Sequence, residues 1–194
     1  MQSIIRVPAL IAFVLAATQL VGCASISMSP PKATVENVAK LRAEPQLKPL
    51  AVGQFALAAG KPESLQESIS MRGANTLRAP NSTFSQYLKQ SLSVELETAG
   101  LLDPNSATKV TGELTDTSLD AAMGTASGTL SARFVVKKNE TVKYDRVVQA
   151  KSEWPGSFIG AVAIPEAAGQ YERLYRKLVG QLFDDADFKK ALSN

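Results

Sequence analysis

The chain has a single cysteine, Cys23, and this fact constrains its fold more than any other feature of the sequence. A lone cysteine has no internal partner, so no disulfide can link two parts of the chain. About 145 residues remain for a folded region after the first 48, which is enough for one hydrophobic core. The fold must therefore be stabilised by the packing of that core alone.

Cys23 also lies at the end of a segment that has the pattern of a secretory signal. Arg6 is the only charged residue before it, and an uncharged, mostly apolar run extends over residues 7–21. This order is typical of a leader that is removed on export. A membrane-spanning helix is the alternative, but it needs about 20 apolar residues. The run is shorter, and it is interrupted by Pro8, Thr18 and Gln19.

The last four residues of this segment, Leu-Val-Gly-Cys at 20–23, resemble the lipobox of bacterial lipoproteins. The resemblance implies a signal peptide over residues 1–22, cleavage before Cys23 and acylation of that cysteine. An ordinary leader, cut after an A-x-A motif, would leave Cys23 as a free thiol. Ala24 stands where enteric bacteria place an aspartate to keep lipoproteins in the inner membrane. The resemblance therefore implies an anchor on the periplasmic face of the outer membrane.

From Cys23 onward the chain is close to electrically neutral. Without Arg6 the 21 basic side chains fall to 20, against 18 acidic ones, which leaves a net charge of +2. That balance is too small to indicate a nucleic-acid partner, and export argues against one as well. We expect contact with a membrane through the acylated Cys23 and no contact with nucleic acid.

Residues 23–48 have the composition of a flexible tether that follows the lipidated cysteine. Serine and proline recur there at a density that does not support a packed core. Val35, Val38 and Leu41 are at helical spacing, so a short helix over residues 34–42, docked on the domain, is also compatible with the sequence. Residues 49–194 are expected to form a single periplasmic domain.

The predicted elements of that domain give its fold class. A strand is predicted at residues 49–57, a helix at 83–99, strands at 109–116, 126–136 and 142–150, and a last helix that Pro165 opens. Ser82 is suited to cap the first helix and Gly100 to end it. This order predicts an α+β fold. The expected architecture is a two-layer sandwich in which a roughly four-stranded, mainly antiparallel sheet carries two helices on one face.

The sequence carries no pattern that marks a catalytic site. It has no histidine, which removes the commonest general base near neutral pH. With Cys23 acylated no thiol nucleophile remains, and there is no P-loop, nucleophile elbow or dinucleotide fingerprint. Asp184, Asp185 and Asp187 can offer oxygens to calcium, but they lack the glycine and the distant glutamate of an EF-hand loop, and a solvated break between two helical segments is the better explanation. We predict no catalytic residue, no metal and no cofactor.

Residues 153–165 have a composition that is unusual for a connection between a strand and a helix. Trp154 and Pro155 are followed by a glycine-bearing apolar run. Burial beneath the sheet edge, or inclusion in a strand, is one explanation. The other is an exposed patch for a partner protein or for lipid. The candidate partner-binding residues are then Trp154, Phe158, Ile159 and Val162.

Taken together, these features resemble small proteobacterial outer-membrane lipoproteins of the YajG type. The resemblance is specific at residues 20–23 and architectural over residues 49–194. It implies a non-catalytic accessory protein of the cell envelope that binds an envelope partner, through residues 154–164 or an open sheet edge. The alternative is an auxiliary lipoprotein of an ABC- or MCE-type lipid transport system. Such a carrier would bind lipid or a small amphiphile in an apolar cavity.

Overall fold

The structure, a computed structural model, describes residues 25–80 and 82–193. Cys23 and the predicted signal peptide lie outside these residues. The elements follow in the order β1 (Ser25–Ser27), α1 (Val35–Arg42), β2 (Ala51–Leu57), α2 (Ser64–Glu67), β3 (Ile69–Arg72), β4 (Asn75–Arg78), α3 (Phe84–Ala99), β5 (Thr108–Asp120), β6 (Gly124–Lys138), β7 (Thr141–Gly156), α4 (Gly160–Asp184) and α5 (Ala186–Ser193).

The main sheet has four strands in the order β2-β5-β6-β7. β2 runs parallel to β5, and the other neighbours are antiparallel. Helices α3, α4 and α5 pack on one face of this sheet. The predicted α+β sandwich, with a four-stranded and mainly antiparallel sheet, is therefore confirmed, although the structure contains more helices than the two that were predicted.

A second sheet has three short strands, of which β1 precedes α1 and β3 and β4 lie between β2 and α3. Its order is β1-β4-β3, with β1 parallel to β4 and β3 antiparallel to β4. Ile69, Met71 and Leu77 point from these short strands into the core. The amide of Ala121 at the end of β5 donates a 3.1 Å hydrogen bond to the carbonyl of Met71. The small sheet therefore lies against the end of the main one.

The described part of the expected tether lies against the domain. Met28, Val38, Leu41 and Leu47 are buried in the same core as the sheet residues or beside it. The short helix that the sequence allows is present as α1, and the Thr34 side chain caps it by accepting a hydrogen bond from the amide of Asn37 at 3.2 Å. Val38 and Leu41, three apart, share the face that packs on α3 and α4, whereas Val35 at the start of the helix is exposed.

The two long helices differ from their predictions at their first residues. Thr83, not Ser82, caps α3 by accepting from the amide of Gln86 at 3.3 Å, and Gly100 ends it with φ +81°. Helix α4 begins at Gly160, so the prediction that Pro165 opens it is wrong. Pro165 is the sixth helical residue, where its missing amide removes only one intrahelical hydrogen bond. The apolar run before it therefore extends the helix.

The core is filled by side chains from the inner face of the sheet and from the helices. Alternate residues of β6 from Ala126 to Val136 face inward, as the sequence predicts. On α4, the ring of Tyr171 makes edge contacts with Phe84 at 5.5 Å and Tyr175 at 5.3 Å. Its hydroxyl forms a hydrogen bond with the Thr117 hydroxyl of β5. Burial raises the pKa of Tyr171 to about 12.

Gly112 in the middle of β5 is a position that tolerates no side chain. A Cβ atom there would lie 2.3 Å from Cε1 of Phe55, whose ring is itself buried. We expect Gly112→Ala to lower the free energy of unfolding by about 2–3 kcal/mol, measured by urea unfolding. The control is Gly169→Ala in α4, where the Cβ meets only ordinary contacts. It should raise stability by about 0.5–1 kcal/mol, and equal effects in the two variants would contradict this account.

Candidate functional site

The structure separates the four predicted partner-binding residues into two groups. Trp154 lies in β7, opposite Ala126, and only 7% of it is exposed. It shares the inward face with Ala150, four residues earlier, because side chains alternate along a strand. Phe158, Ile159 and Val162 lie beyond the strand and are 76%, 64% and 55% exposed. Trp154 is thus a core residue, and the other three form a surface.

A fourth residue joins this surface from another loop. Met123, between β5 and β6, is 57% exposed. Gly124 pairs with Gly156, and a Cβ on Gly156 would lie 1.9 Å from the carbonyl oxygen of Ala122, so the loop and the end of β7 are in direct contact. We call Met123, Phe158, Ile159 and Val162 the apolar tip. The tip holds four of the seven large apolar residues that are exposed in the described part of the chain.

The backbone beneath the apolar tip is held by specific hydrogen bonds. Arg72, the last residue of β3, donates from Nη1 to the carbonyl of Ser157 at 2.9 Å and from Nη2 to the carbonyl of Phe158 at 3.3 Å. The Ser157 hydroxyl accepts from the amide of Ile159 at 3.1 Å. The exposed apolar side chains therefore project from an ordered backbone.

A second candidate surface is the face of the main sheet that points away from the helices. In the described part of the chain no helix packs on it, and Val147, on the edge strand β7, is 61% exposed. Arg133 donates to Asp145 at 2.7 and 2.6 Å and pairs with Glu113 at 3.4 Å. Its guanidinium holds the pKa of the Asp145 carboxyl below the usual value. We call this surface the outer sheet face.

The acidic residues that were considered for calcium have structural partners. Asp185 caps α5 by accepting from the amide of Asp187 at 2.8 Å, and it also accepts from the Tyr144 hydroxyl at 3.0 Å. Asp184 pairs with Lys40 at 2.8 Å, and Asp187 pairs with Arg146. Among residues 25–80 and 82–193, no group of three or more histidine, cysteine or acidic side chains is arranged to hold a metal ion. The cluster forms the junction of two helices.

A buried carboxylate on α3 holds the N-terminal segment in place. Only 2% of Glu95 is exposed, and it accepts hydrogen bonds from the amide of Thr34 at 3.0 Å, from the Thr34 hydroxyl at 3.0 Å and from Nδ2 of Asn37 at 3.0 Å. The same Asn37 nitrogen donates to the carbonyl of Arg176 on α4 at 3.1 Å. Sequence reasoning gave Glu95 no role. The signal that the sequence offers is that Glu95, an acidic residue, lies next to the apolar residues on the buried side of the predicted helix.

We expect Glu95→Gln to loosen α1 from the domain. An amide nitrogen would replace one oxygen that now faces the Thr34 and Asn37 donors, and a buried donor without an acceptor costs about 1–3 kcal/mol. Limited trypsin digestion should then cut earlier after Lys40 or Arg42, and urea unfolding should show a loss of stability of that size. Glu97→Gln, on the exposed side of the same helix, is the matched control. Identical digestion patterns for the two variants would contradict the role of Glu95.

Helix α4 is the longest helix in the described part of the chain, with 25 residues. Neither α4 nor any other helix there combines the length and the apolar composition needed to cross a membrane.

Comparison with known proteins gives a fold but no family. No family model matches the chain, and no curated protein matches it. The crystal structure of protein XCC0632 from Xanthomonas campestris, of the family DUF330, has a TM-score of 0.58 at 14% identity, covering 87% of this chain and 95% of that one. At this identity the likeness shows a shared fold.

Two further solved structures are described as lipoproteins. A minor lipoprotein from Acinetobacter baumannii has a TM-score of 0.45 at 13% identity, covering 74% of this chain and 95% of its own. A lipoprotein from Caulobacter crescentus has a TM-score of 0.42 at 11% identity, covering 81% of this chain and 98% of its own. At these TM-scores neither structure supports an argument about this chain, so the fold that it shares with XCC0632 is what the comparisons establish.

Proposed function

We propose that this chain is an accessory lipoprotein of the cell envelope, held on the periplasmic face of the outer membrane by acylated Cys23, and that its domain binds a partner protein without catalysing a reaction. The resemblance of residues 20–23 to a lipobox, and to the YajG type of lipoprotein, supports the anchor. The domain that follows supports the binding role through its uncovered surfaces.

The outer sheet face is the observation that carries the binding role. Val135 and Val147 are diagonal neighbours on β6 and β7 and give the face a small apolar centre. Val135 lies opposite Asp145 and Val147 opposite Arg133, so the ion pairs of Arg133 with Asp145 and Glu113 flank it directly. Protein interfaces commonly have such an apolar centre with a polar rim. The side chains of the face are already fixed to one another, since Nε2 of Gln149 donates to the Ser131 hydroxyl at 2.9 Å. Binding on such a surface has a small ordering cost.

The face of the sheet is a better candidate than its edge. β7 is the longer of the two edge strands of the main sheet, with β2 at the other edge, and pairing with a further strand at β7 would bring a partner alongside it. However, β7 carries the charged side chains Lys143, Asp145, Arg146, Lys151 and Glu153, together with Pro155. Charged residues and proline on an edge strand oppose the addition of another strand. We therefore place the partner on the outer sheet face.

The carrier alternative depends on an apolar site, and the core of the described residues is filled by side chains. Leu88, Leu92 and Phe134 are completely buried in the packed core. In the described part of the chain an open groove of about 600 Å³ lies beside α1, lined by Ala33, Thr34, Val35, Val38, Ala39, Arg42, Ala43 and Thr98. It is the site that a carrier would use, and the filled core favours the adaptor.

Site-specific photo-crosslinking in native envelopes tests the proposed function. A photoreactive residue at Val147 should give a discrete protein adduct, whereas the same residue at the exposed Glu97 of α3, on the other layer of the domain, should give none. Val135→Asp should abolish the adduct, because it places a charge in the apolar centre, and Val135→Thr should retain it. Absence of any protein adduct at position 147, with lipid crosslinked from Val35 in the groove, would favour the carrier.

A further inference from the structure

We propose that the apolar tip contacts the membrane itself: Met123, Phe158, Ile159 and Val162 insert into the interfacial layer of the bilayer that holds the lipid anchor. This inference rests on the proposed acylation of Cys23. It assigns an orientation to the domain, with the tip against the lipid and the opposite end of the long strands directed away from the membrane.

The first argument is the place where the chain reaches the domain. β1 runs parallel to β4, and Ser25 pairs with Thr76, the second residue of β4. The chain therefore arrives at Ser25 from the side of the β3–β4 turn. Cys23 precedes Ser25 by two residues, and two fully extended residues span at most about 7 Å. An acylated Cys23 consequently holds this end of the domain close to the bilayer.

The second argument is that the apolar tip lies at the same end. Arg72 pairs with Asn75 across the β3–β4 turn, and its guanidinium donates to the carbonyls of Ser157 and Phe158 beneath the tip. Ala121, two residues before Met123, is hydrogen-bonded to β3. β1 and β3 are separated by two strand spacings, about 10 Å. The anchor and the tip therefore emerge side by side.

The third argument is the chemistry of this end. Phenylalanine, isoleucine, valine and methionine side chains on an ordered backbone are suited to the boundary between headgroups and acyl chains. The exposed residues next to them in sequence or across the adjoining turn are small and uncharged: Gly73, Ala74, Gly124, Thr125, Gly160 and Ala161. Asp120 and Glu166, both exposed, come three residues before Met123 and four after Val162. These carboxylates limit the insertion to the interfacial layer.

Lipid is favoured over protein as the occupant because of the anchor. A patch of apolar side chains beside an acylated residue meets the bilayer continuously, since the covalent link fixes its distance from the lipid. A protein partner at this end would have to displace lipid from the patch. The outer sheet face, by contrast, does not lie beside the acylated residue, so it stays available to protein.

The test uses the fact that Cys23 is the only cysteine, so that an introduced cysteine is the only free thiol of the acylated chain. Val162→Cys in the tip and Val147→Cys on the outer sheet face carry the same environment-sensitive fluorophore. The full lipidated chains are placed in vesicles of phosphatidylethanolamine and phosphatidylglycerol. At position 162 we expect blue-shifted emission, quenching by nitroxide-labelled lipid, and several-fold lower access to iodide than at position 147.

The outcomes separate this inference from the proposed anchor. Flotation of the chain with vesicles, together with equal iodide access at positions 162 and 147, would overturn the inference and leave the anchor standing. Failure to float would overturn both. In native envelopes, a label at 162 that is shielded from iodide but not quenched by nitroxide lipid would show a protein on the tip, which also overturns the inference. Phe158→Ser combined with Ile159→Ser should restore iodide access at 162 without affecting flotation.

Discussion

Replacing Cys23 by serine, behind a leader that is cut after an A-x-A motif, is expected to move the whole of the protein from the membrane fraction to the soluble periplasmic fraction. Each acyl CH₂ group contributes about 0.8 kcal/mol of membrane affinity, and one chain alone binds weakly and reversibly. The lipoproteins that residues 20–23 resemble carry three chains, so the native attachment should be permanent. Without them only the apolar tip contacts lipid. Fractionation measures the move to the soluble fraction, and metabolic labelling with palmitate measures the loss of the acyl chains.

The matched control for this experiment has the same replacement leader but retains Cys23. It should be as soluble as the serine variant and should react with a thiol reagent, which shows that acylation and not the cysteine itself provides the anchor. The native chain should incorporate palmitate and leave its thiol unreactive. A serine variant that resists extraction from membranes at high pH, or a native chain with a free thiol, would contradict the lipobox interpretation.

Tyr171→Ala is expected to lower the free energy of unfolding by about 3–5 kcal/mol, the range for removing a large aromatic side chain from a core. Tyr171 is fully buried on α4, where its ring contacts Phe84 and Tyr175 and its hydroxyl joins Thr117 of β5. The substitution leaves a cavity between the helix layer and the sheet, and it also leaves the Thr117 hydroxyl without its partner. Urea unfolding measures the loss.

Tyr171→Phe separates the contribution of the ring to stability from the contribution of the hydroxyl. The phenylalanine fills the same space but removes the hydroxyl, so the expected loss is about 1 kcal/mol. The hydroxyl is protonated at neutral pH, as in any tyrosine, and burial raises its pKa further, to about 12. Equal losses from the alanine and phenylalanine variants would show that the hydrogen bond, and not the packing of the ring, stabilises this contact.

The elements that could be predicted from the sequence are those with a long regular pattern. The four-residue repeat from Phe84 to Leu96 predicts α3 to within one residue, and Gly100 ends it as expected. The alternation along residues 126–136 correctly predicts which side chains of β6 enter the core. In both cases the pattern extends over several turns or pleats, so that local sequence and burial agree.

The elements that could not be predicted depend on partners far along the chain. β1, β3 and β4 have three or four residues each, too few for a pattern, and β1 exists because it pairs with a strand about 50 residues later. Trp154 was predicted as an interface candidate, but β7 continues to Gly156, and strand alternation directs the indole inward. Met123 joins the apolar tip only through the β5–β6 loop, which no local pattern indicates.

The pairing of β1 with β4 also has a consequence for the proposed function, because it sets how far the domain can move from the proposed anchor. A flexible coil of 25 residues would let it sample a distance of about 25–30 Å from its anchor. Here β1 starts at Ser25, two residues after Cys23. With the proposed acylation of Cys23, the domain would present its outer sheet face at one height and in one orientation. A partner in the same membrane would then meet it by diffusion in two dimensions. The effective concentration of the binding surface stays high, because it falls as a flexible linker lengthens and the link here is short. Lengthening the link before Ser25 would weaken recognition without changing a single contact within the domain.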